Sequence, residues 1–362
     1  MKMLGFALVG CGRIAQRHAD ILASKQVRGA ALVGVCDINA QRAEATGKKH
    51  GVPYFTDAHE MMAKLGTAVD VISILTDSGS HARNCMELAK YVRHIVVEKP
   101  MALTLGDADT MIRTCDEAGI KLFVVKQNRY NLPVQKLREA LVAGRFGRLV
   151  MGTVRVRWMR DQSYYDQDPW RGTWAADGGV FANQASHHID LLEWMMGAPE
   201  SVFAYSRTAL VDIETEDTGV VVLRFRNGAL GIIEATTATR PKDLEGSISI
   251  LGEKGTVEIG GFAVNEMKVW NFVNPSQDDK MVHEHYRENP PNVYGFGHIA
   301  YLQHVVDVLT NGGPSLVDGL EGRKSLELIV AIYESIETKR EVPLYFKPAC
   351  RLGIPEIGRD SR

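Results

Sequence analysis

Two residues of this chain have the type and setting to handle a proton beside a bound cofactor: Lys99 and His187. Lys99 sits in Glu98-Lys99-Pro100, directly after the apolar run His94-Ile95-Val96-Val97. Proline has no backbone N–H and ends a strand sharply, so the run reads as a buried strand with Lys99 at its carboxyl end. Far upstream lies Gly10-Cys11-Gly12-Arg13-Ile14-Ala15, between an apolar run and a helix-like segment. Gly10 permits the tight turn after the first strand, and Gly12 lets the backbone approach a pyrophosphate. Ala15 takes the third small position, where helix meets strand. The helix opening at Arg13 and Ile14 offers free N–H groups and a positive dipole end to phosphates. In open parallel sheets ligands lie outside the carboxyl ends of the strands. A lysine at such an end, in the sheet that carries the glycine loop, is placed to act on the substrate of a dinucleotide-dependent reaction.

Asp37 closes the next strand run, Ala31-Leu32-Val33-Gly34-Val35-Cys36. Its carboxylate can accept hydrogen bonds from ribose hydroxyls and repels a 2′-phosphate. Ile38 and Asn39 follow, with no arginine beside the acid, so the expected cofactor is NAD rather than NADP. Thr76, His81, Glu98, Lys99, Gln127, Trp170 and Arg171 complete the expected cofactor contacts. Gln127 belongs to Lys126-Gln127-Asn128-Arg129-Tyr130, which follows the strand run Leu122-Phe123-Val124-Val125 and puts polar residues at another strand end.

The second constellation is Asp177-Gly178-Gly179, then Asn183-Gln184-Ala185-Ser186-His187-His188-Ile189-Asp190. From Phe181 onward this reads as a helix. Asn183 and His187 would then share a face at i and i+4, with Asp190 approaching it at i+3. An imidazole held by polar neighbours is a good general base near neutrality. His187 and His188 point to different helix faces, and no HExxH or carboxylate triad accompanies them, so no metal is expected. Upstream lies Arg155-Val156-Arg157-Trp158-Met159-Arg160, then Tyr164-Tyr165. Arg155 and Arg157 share a strand face by alternation, and a solvated sheet face accounts for them equally well. Clustered arginines and tyrosines suit an anionic, hydroxylated ligand. The expected substrate set is Lys99, Lys126, Arg129, Arg160, Tyr164, Tyr165, Asn183 and His187.

The remaining composition excludes more than it selects. A net charge of -2 gives no electrostatic case for nucleic acid or an acidic membrane surface. No apolar stretch approaches the roughly 20 residues of a membrane helix. The start reads as the first strand rather than a leader. Cys11, Cys36, Cys85, Cys115 and Cys350 are scattered, with no CxxC and no zinc spacing, which points to reduced thiols and a cytoplasmic location.

The elements that must position these residues fall into two textures. Residues 1–125 alternate buried-type strands with helix patterns near 40–50, 80–91 and 105–118, which implies a parallel doubly wound sheet. Later come β-rich runs at 149–158, 201–208, 218–226 and 229–238. The last two are joined through Arg226-Asn227-Gly228-Ala229, where Asn-Gly suits a type I′ turn. A second hairpin runs through Gly252-Glu253-Lys254-Gly255, and helices are expected at about 298–311 and 321–339. The fold class is α/β followed by α+β: a Rossmann-type domain over 1–125, and a substrate and oligomerisation domain over 126–346 on a largely antiparallel open sheet. A tail spans 347–362. Apolar runs such as 219–225, with few helices to cover both faces of that sheet, predict a homo-oligomer, a dimer or tetramer.

With these elements in place the chain resembles the Gfo/Idh/MocA oxidoreductases over nearly its whole length. The resemblance is carried by the GxGxxA loop, Glu98-Lys99-Pro100, the Asp-Gly-Gly turn and the segment with His187 and Asp190. It implies hydride transfer between a nicotinamide and a sugar or polyol carbon, with lysine and histidine near the reacting hydroxyl. Val125-Lys126-Gln127-Asn128-Arg129, Trp170-Arg171-Gly172-Thr173-Trp174, Asn183-Gln184-Ala185-Ser186-His187, Leu244-Glu245-Gly246-Ser247-Ile248 and Val293-Tyr294-Gly295-Phe296-Gly297-His298 are similar to the WlbA-type branch. That branch oxidises the 3-hydroxyl of UDP-N-acetylglucosaminuronic acid on the way to surface polysaccharide (O-antigen) sugars, which implies a UDP-sugar acid as partner. Many family members carry aspartate where this chain has Asn183, and the WlbA-type branch resembles this chain in having asparagine. The alternatives are a dehydrogenase of a free sugar or inositol, and a non-enzymatic sugar-nucleotide sensor on the same fold. Retention of both Lys99 and His187 argues against the sensor.

Overall fold

The computed structural model describes residues 3–286 and 295–344, so Val293, Tyr294, Cys350 and the tail lie outside the described residues. Six strands form the first sheet: β1 (Leu4–Val9), β2 (Ala30–Cys36), β3 (Tyr54–Phe55), β4 (Val71–Ile74), β5 (His94–Val97) and β6 (Lys121–Val124). All their pairings are parallel, in the order β3-β2-β1-β4-β5-β6. β1 and β4 are buried at every position, as continuous apolar runs covered by helices on both faces must be. The short edge strand β3 has no apolar run of its own and is absent from the sequence pattern. The order reverses between β1 and β4, and a crevice for a ligand opens at such a switch point.

Helix starts follow local chemistry. Asn39, Asp57, Thr104 and Asp318 each accept a hydrogen bond from the backbone N–H three residues on. These contacts satisfy donors that a helix leaves unpaired at its amino end.

Eight strands form the second sheet: β7 (Leu149–Arg157), β8 (Pro199–Arg207), β9 (Thr218–Phe225), β10 (Leu230–Thr236), β11 (Glu245–Gly252), β12 (Gly255–Gly260), β13 (Glu266–Phe272) and β14 (Val342–Pro343). The order is β13-β12-β11-β7-β10-β9-β8-β14, antiparallel throughout except for the parallel pair β7 and β10. The turn between β9 and β10 differs from expectation. Gly228 has φ +85 and Asn227 does not reach positive φ, so the loop is not type I′. The Gly228 N–H bonds to the Phe225 carbonyl, and Phe225 N–H bonds to the Ala229 carbonyl. Only the glycine carries the left-handed conformation, as in a three-residue hairpin loop with a bulge.

One face of this sheet packs on helices Leu132–Val142, Ser186–Met196 and Gly319–Thr338 around a core that includes Phe181, Leu192, Ile233 and Ile332. Helix Gly297–Asn311 returns to the first sheet, where Tyr301, Leu302 and Val305 pack against Phe6 and Phe123. Helix Gly319–Thr338 touches both cores through Leu326 on one side and Leu328 and Ile329 on the other.

The two sheets meet through a buried charge cluster. Asp190 takes Lys126 Nζ at 2.8 Å and both Arg129 Nε and Nη2 at 2.8 Å. Their side chains are 5%, 4% and 3% exposed for Lys126, Arg129 and Asp190 respectively. Arg129 also reaches Glu321 and the Leu316 carbonyl, each at 2.8 Å, and Lys126 donates to Ser325. Removing one member of such a cluster leaves uncompensated buried charge. Asp190→Ala is therefore expected to lower stability by about 3–5 kcal/mol. Urea denaturation checks this, and an unchanged midpoint would contradict it.

Candidate active site

A cleft of about 1930 Å³ runs along the carboxyl ends of the first sheet and under the second domain. Gly10, Gly12, Arg13, Ile14, Asp37, Thr76, His81, Glu98, Lys99, Gln127, Arg160, Tyr164, Trp170, Arg171, Asn183 and His187 all line it. Residues distant in sequence thus converge because strand ends of one sheet face the segment 157–187 of the other.

The glycine loop fits a dinucleotide. Gly10 has φ +101, and a Cβ there would stand 2.6 Å from the Leu75 carbonyl oxygen. Around Gly12 there is open space within 4 Å of a Cβ position, which leaves the backbone approachable. Asp37 is held by two backbone N–H groups, Cys11 to Oδ2 and Asn39 to Oδ1, both at 2.7 Å. Arg42, on the helix that follows Asp37, carries no signal in the sequence spacing. It lines the same end of the cleft, pinned to Asp168 of the other domain at 2.8 Å. Glu98 is buried against His18, whose Nε2 lies 3.2 Å from Oε1, and accepts the Lys99 N–H at 3.1 Å. Burial opposes its ionisation, but the His18 contact and nearby charges hold the carboxyl below its ordinary range. His81 has Nδ1 2.8 Å from the Pro100 carbonyl oxygen and Nε2 3.2 Å from that of Thr76, and burial lowers its pKa.

The Lys99-Pro100 bond is cis. Lys99 Nζ donates to the Asn183 backbone carbonyl at 2.8 Å and to its Oδ1 at 3.2 Å. Burial lowers the pKa of the ammonium; Glu98 and Asp177 push it back up, and Arg171 pulls it down. His187 Nε2 lies 2.8 Å from Gln127 Nε2. Burial, then the charges of Lys99 and Lys126, push its pKa well below the ordinary histidine value, so the ring stays neutral at pH 7. Arg171 stacks on Trp170 and Tyr164, with centroid distances of 4.5 and 4.6 Å, and donates to the Tyr164 hydroxyl.

Several expectations are corrected. The helix begins at Ser186 rather than Phe181, because residues 177–185 form successive turns; Asn183 faces Lys99 from a turn, not from the helix face of His187. Lys126 and Arg129 do not line the main cleft: both are spent on Asp190, which in turn does not support His187. Tyr165 is buried, with its hydroxyl 3.2 Å from Thr237 Oγ1, and is likewise not part of the cleft wall. Arg157 lines the cleft but is neutralised by Glu234 and Glu245. Arg160 remains a wall residue, paired with Asp243 at 3.1 Å. Residues missed by inspection include Arg42, Asp168 and Asp243, for which spacing carries no signal.

The amino-terminal region, residues 4–126, matches the NAD-binding Rossmann domain of the GFO/IDH/MocA oxidoreductases, and residues 138–344 match their C-terminal alpha/beta domain. The chain belongs to the Gfo/Idh/MocA oxidoreductase family. Among solved Gfo/Idh/MocA structures, the WlbA dehydrogenase from Bordetella pertussis, in complex with NADH and UDP-GlcNAcA, is 44% identical. The match covers 96% of this chain and 100% of that one, with a TM-score of 0.88. A WlbA dehydrogenase from Chromobacterium violaceum, with the same two ligands, is 42% identical over 96% and 98% of the chains, with a TM-score of 0.89. A myo-inositol 2-dehydrogenase from Thermotoga maritima is 29% identical over 93% of this chain and 97% of its own length. No helix among the described residues is long and apolar enough to cross a membrane.

The cofactor is NAD, and Asp37 is the candidate for selecting it. NADP should bind far more weakly, since its 2′-phosphate would meet a fixed carboxylate. Asp37→Ser should narrow the gap mainly by weakening NAD. Titration of both dinucleotides by fluorescence checks this; equal binding by the unaltered protein would refute it.

Proposed function

We propose that this chain oxidises the 3-hydroxyl of UDP-N-acetylglucosaminuronic acid, in the cytoplasm, on a route to bacterial surface polysaccharide sugars. The observation that carries this reading is the 44% identity, over almost the full length, to a dehydrogenase solved with NADH and UDP-GlcNAcA. The inositol and apiose dehydrogenases stand lower, at 29% and 28%. The cleft supports the choice by its extent, because beyond Trp158 and Phe262 it continues to Lys242 and to Lys268, the latter paired with Glu266 at 2.7 Å, giving a nucleotide sugar room.

Bound NAD supplies the hydride acceptor. On the substrate, the C3 hydrogen leaves with its electron pair, the hydroxyl proton leaves to a base, and a carbonyl forms. Lys99 and His187 are the groups for that proton. His187 is neutral, with its Nε2 lone pair accepting from the Gln127 amide at 2.8 Å, and an imidazolium beside a charged Lys99 would face strong repulsion. One of the two therefore starts as the free base: either neutral His187 takes the hydroxyl proton beside the Lys99 ammonium, or a neutral Lys99 amine takes it while the ring stays neutral. Arg171 and Arg160, backed by Tyr164, take anionic groups and hydroxyls at the cleft wall.

Lys99→Ala and His187→Ala should each lower kcat about a hundredfold or more, with NAD affinity nearly unchanged in His187→Ala. Full turnover in His187→Ala would leave Lys99 as the base; full turnover in both would misplace the site. UDP-GlcNAcA, UDP-GlcNAc, myo-inositol and glucose should be compared by NADH formation, with and without an α-keto acid acceptor to recycle bound NADH. Turnover of inositol or glucose with none of the UDP-sugar acid would move the assignment to a polyol dehydrogenase.

The active molecule is a closed homo-oligomer, a dimer or tetramer. The outer face of the second sheet exposes Tyr205 by 63%, Val222 by 55%, Leu230 by 56% and Val220 by 50%, neighbours on β8, β9 and β10. A contiguous apolar face of this kind is an association surface. Light scattering at micromolar concentration should return a multiple of the chain mass, and a monomer would contradict it.

A further inference from the structure

We propose that Asp177 is a positioning residue that sets the charge on Lys99 through the side-chain amide of Asn183. It rests on the reading of Lys99 as a proton-handling group at the reacting hydroxyl. The three residues form one chain of contacts. Lys99 Nζ donates to Asn183 Oδ1 at 3.2 Å, and Asn183 Nδ2 donates to Asp177 Oδ1. The other carboxylate oxygen, Oδ2, accepts the Gly172 N–H at 2.8 Å.

Donor and acceptor chemistry fixes the sense of this chain. An ammonium can only donate, so the amide must turn its oxygen to Lys99 and its NH₂ to Asp177. Both oxygens of Asp177 then face N–H donors. A protonated Asp177 would turn an O–H against one of them, so the hydrogen bonds require the carboxylate. That carboxylate is 1% exposed and stands outside the cleft wall, so it does not touch substrate. Among the described residues no cation contacts it directly, and its positive neighbours are Lys99, one amide away, and Arg171. A buried carboxylate without a contacting cation is costly unless a charge close by answers it.

The groups that act on Lys99 come from every side. Glu98 adjoins it at the end of β5, Arg171 approaches from the loop before the Asp-Gly-Gly turn, and His187 from the following helix. Tyr165 is the further titratable group near Asp177. Among these, Glu98 is engaged by His18, and Asp177 is the carboxylate joined to the lysine by an oriented dipole. Its charge raises the pKa of Lys99 against the lowering effect of burial. Removing it must move the lysine titration to lower pH and make the amine a poorer proton acceptor.

The test is a charge exchange. Asp177→Asn removes the carboxylate; the double variant D177N/N183D moves it one step along, beside Lys99, with donors and acceptors still able to pair. Protein labelled with ¹³C at lysine Cε is titrated by NMR without substrate, the Lys99 signal being assigned by its loss in Lys99→Met. In Asp177→Asn the Lys99 midpoint should fall by about one pH unit. In the double variant it should return to the original midpoint or exceed it. The pH limb of kcat assigned to Lys99 should move in the same directions, with KM little changed.

An unmoved Lys99 midpoint in folded Asp177→Asn would overturn the proposal, even if kcat fell, because loss of packing alone would lower activity without moving a titration. If Asp177→Asn does not fold, the double variant decides: a midpoint at or above the original supports the proposal and a lower one overturns it. The NMR reading needs no turnover, so a wrong substrate assignment would show as absent activity with the Lys99 shifts intact.

Discussion

Two cations and one carboxylate, Lys126, Arg129 and Asp190, hold the catalytic face in register. The cations belong to the five residues that follow β6, and the acid to the helix that carries His187. Their contact pins the end of the first sheet to the second domain where water is excluded. Gln127 stands between the two cations in sequence and touches His187 at 2.8 Å. The same short segment therefore clamps the helix from one side and addresses its histidine from the other. A carboxylate shared by two hydrogen-bonded cations is strongly directional, because the guanidinium reaches it with two parallel donors. The place of His187 relative to Lys99 follows from that geometry, not from the loop alone.

The electrostatics of the cleft follow from what this clamp leaves over. Lys126 is buried with its partner, yet its field still contributes to keeping His187 neutral. Lys99 is half-buried and anchored by an amide rather than by a direct carboxylate. A direct ion pair would hold the lysine firmly charged. A neutral amide leaves it able to exchange a proton, while its dipole and the acid behind it keep that proton from being lost too readily.

Much of the fold was legible because its causes are local. The apolar runs of β1, β4 and β5, the glycine loop and the helix caps all follow from neighbouring residues, and Lys99 at a strand end follows from Pro100. The cleft positions of Asp37, Thr76 and Gln127 follow in turn from the rule that parallel strands end at the ligand crevice. What escaped depends on partners far along the chain. Lys126 and Arg129 look like ligand cations in a polar stretch, and nothing local shows that Asp190 consumes them. Asp190, placed i+3 from His187, looks like its supporter for the same reason. The spacing of Asn183 to His187 fits a helix. The turns that end at Ala185 are built instead by contacts with Glu216 and Tyr333, including the Gly179 and Ala182 N–H groups on the Tyr333 hydroxyl.

The contacts that cross the cleft differ in strength from one end to the other. Near the glycine loop the crossings are Arg42 with Asp168 and Arg13 with Gln167, on side chains open to water; Arg42 is 48% exposed. Exposed pairs of this kind contribute about 0–1 kcal/mol each. At the opposite end the Asp190 cluster is dry, and breaking it costs several times more. The segment 161–176 is tied to its own domain through buried Tyr165 and Gly172 and meets the outer part of the cleft through these exposed pairs and the Gly79 N–H on the Ala176 carbonyl at 3.2 Å, while the walls beside Lys99 and His187 are held by buried charge. A cofactor larger than the reacting group can enter and leave only past contacts that yield. Hydride and proton transfer, by contrast, need donor and acceptor held to within fractions of an ångström. The distribution of burial along one cleft meets both demands: weak, wet contacts where the large ligand must pass, and dry, saturated ones where the short-range chemistry takes place.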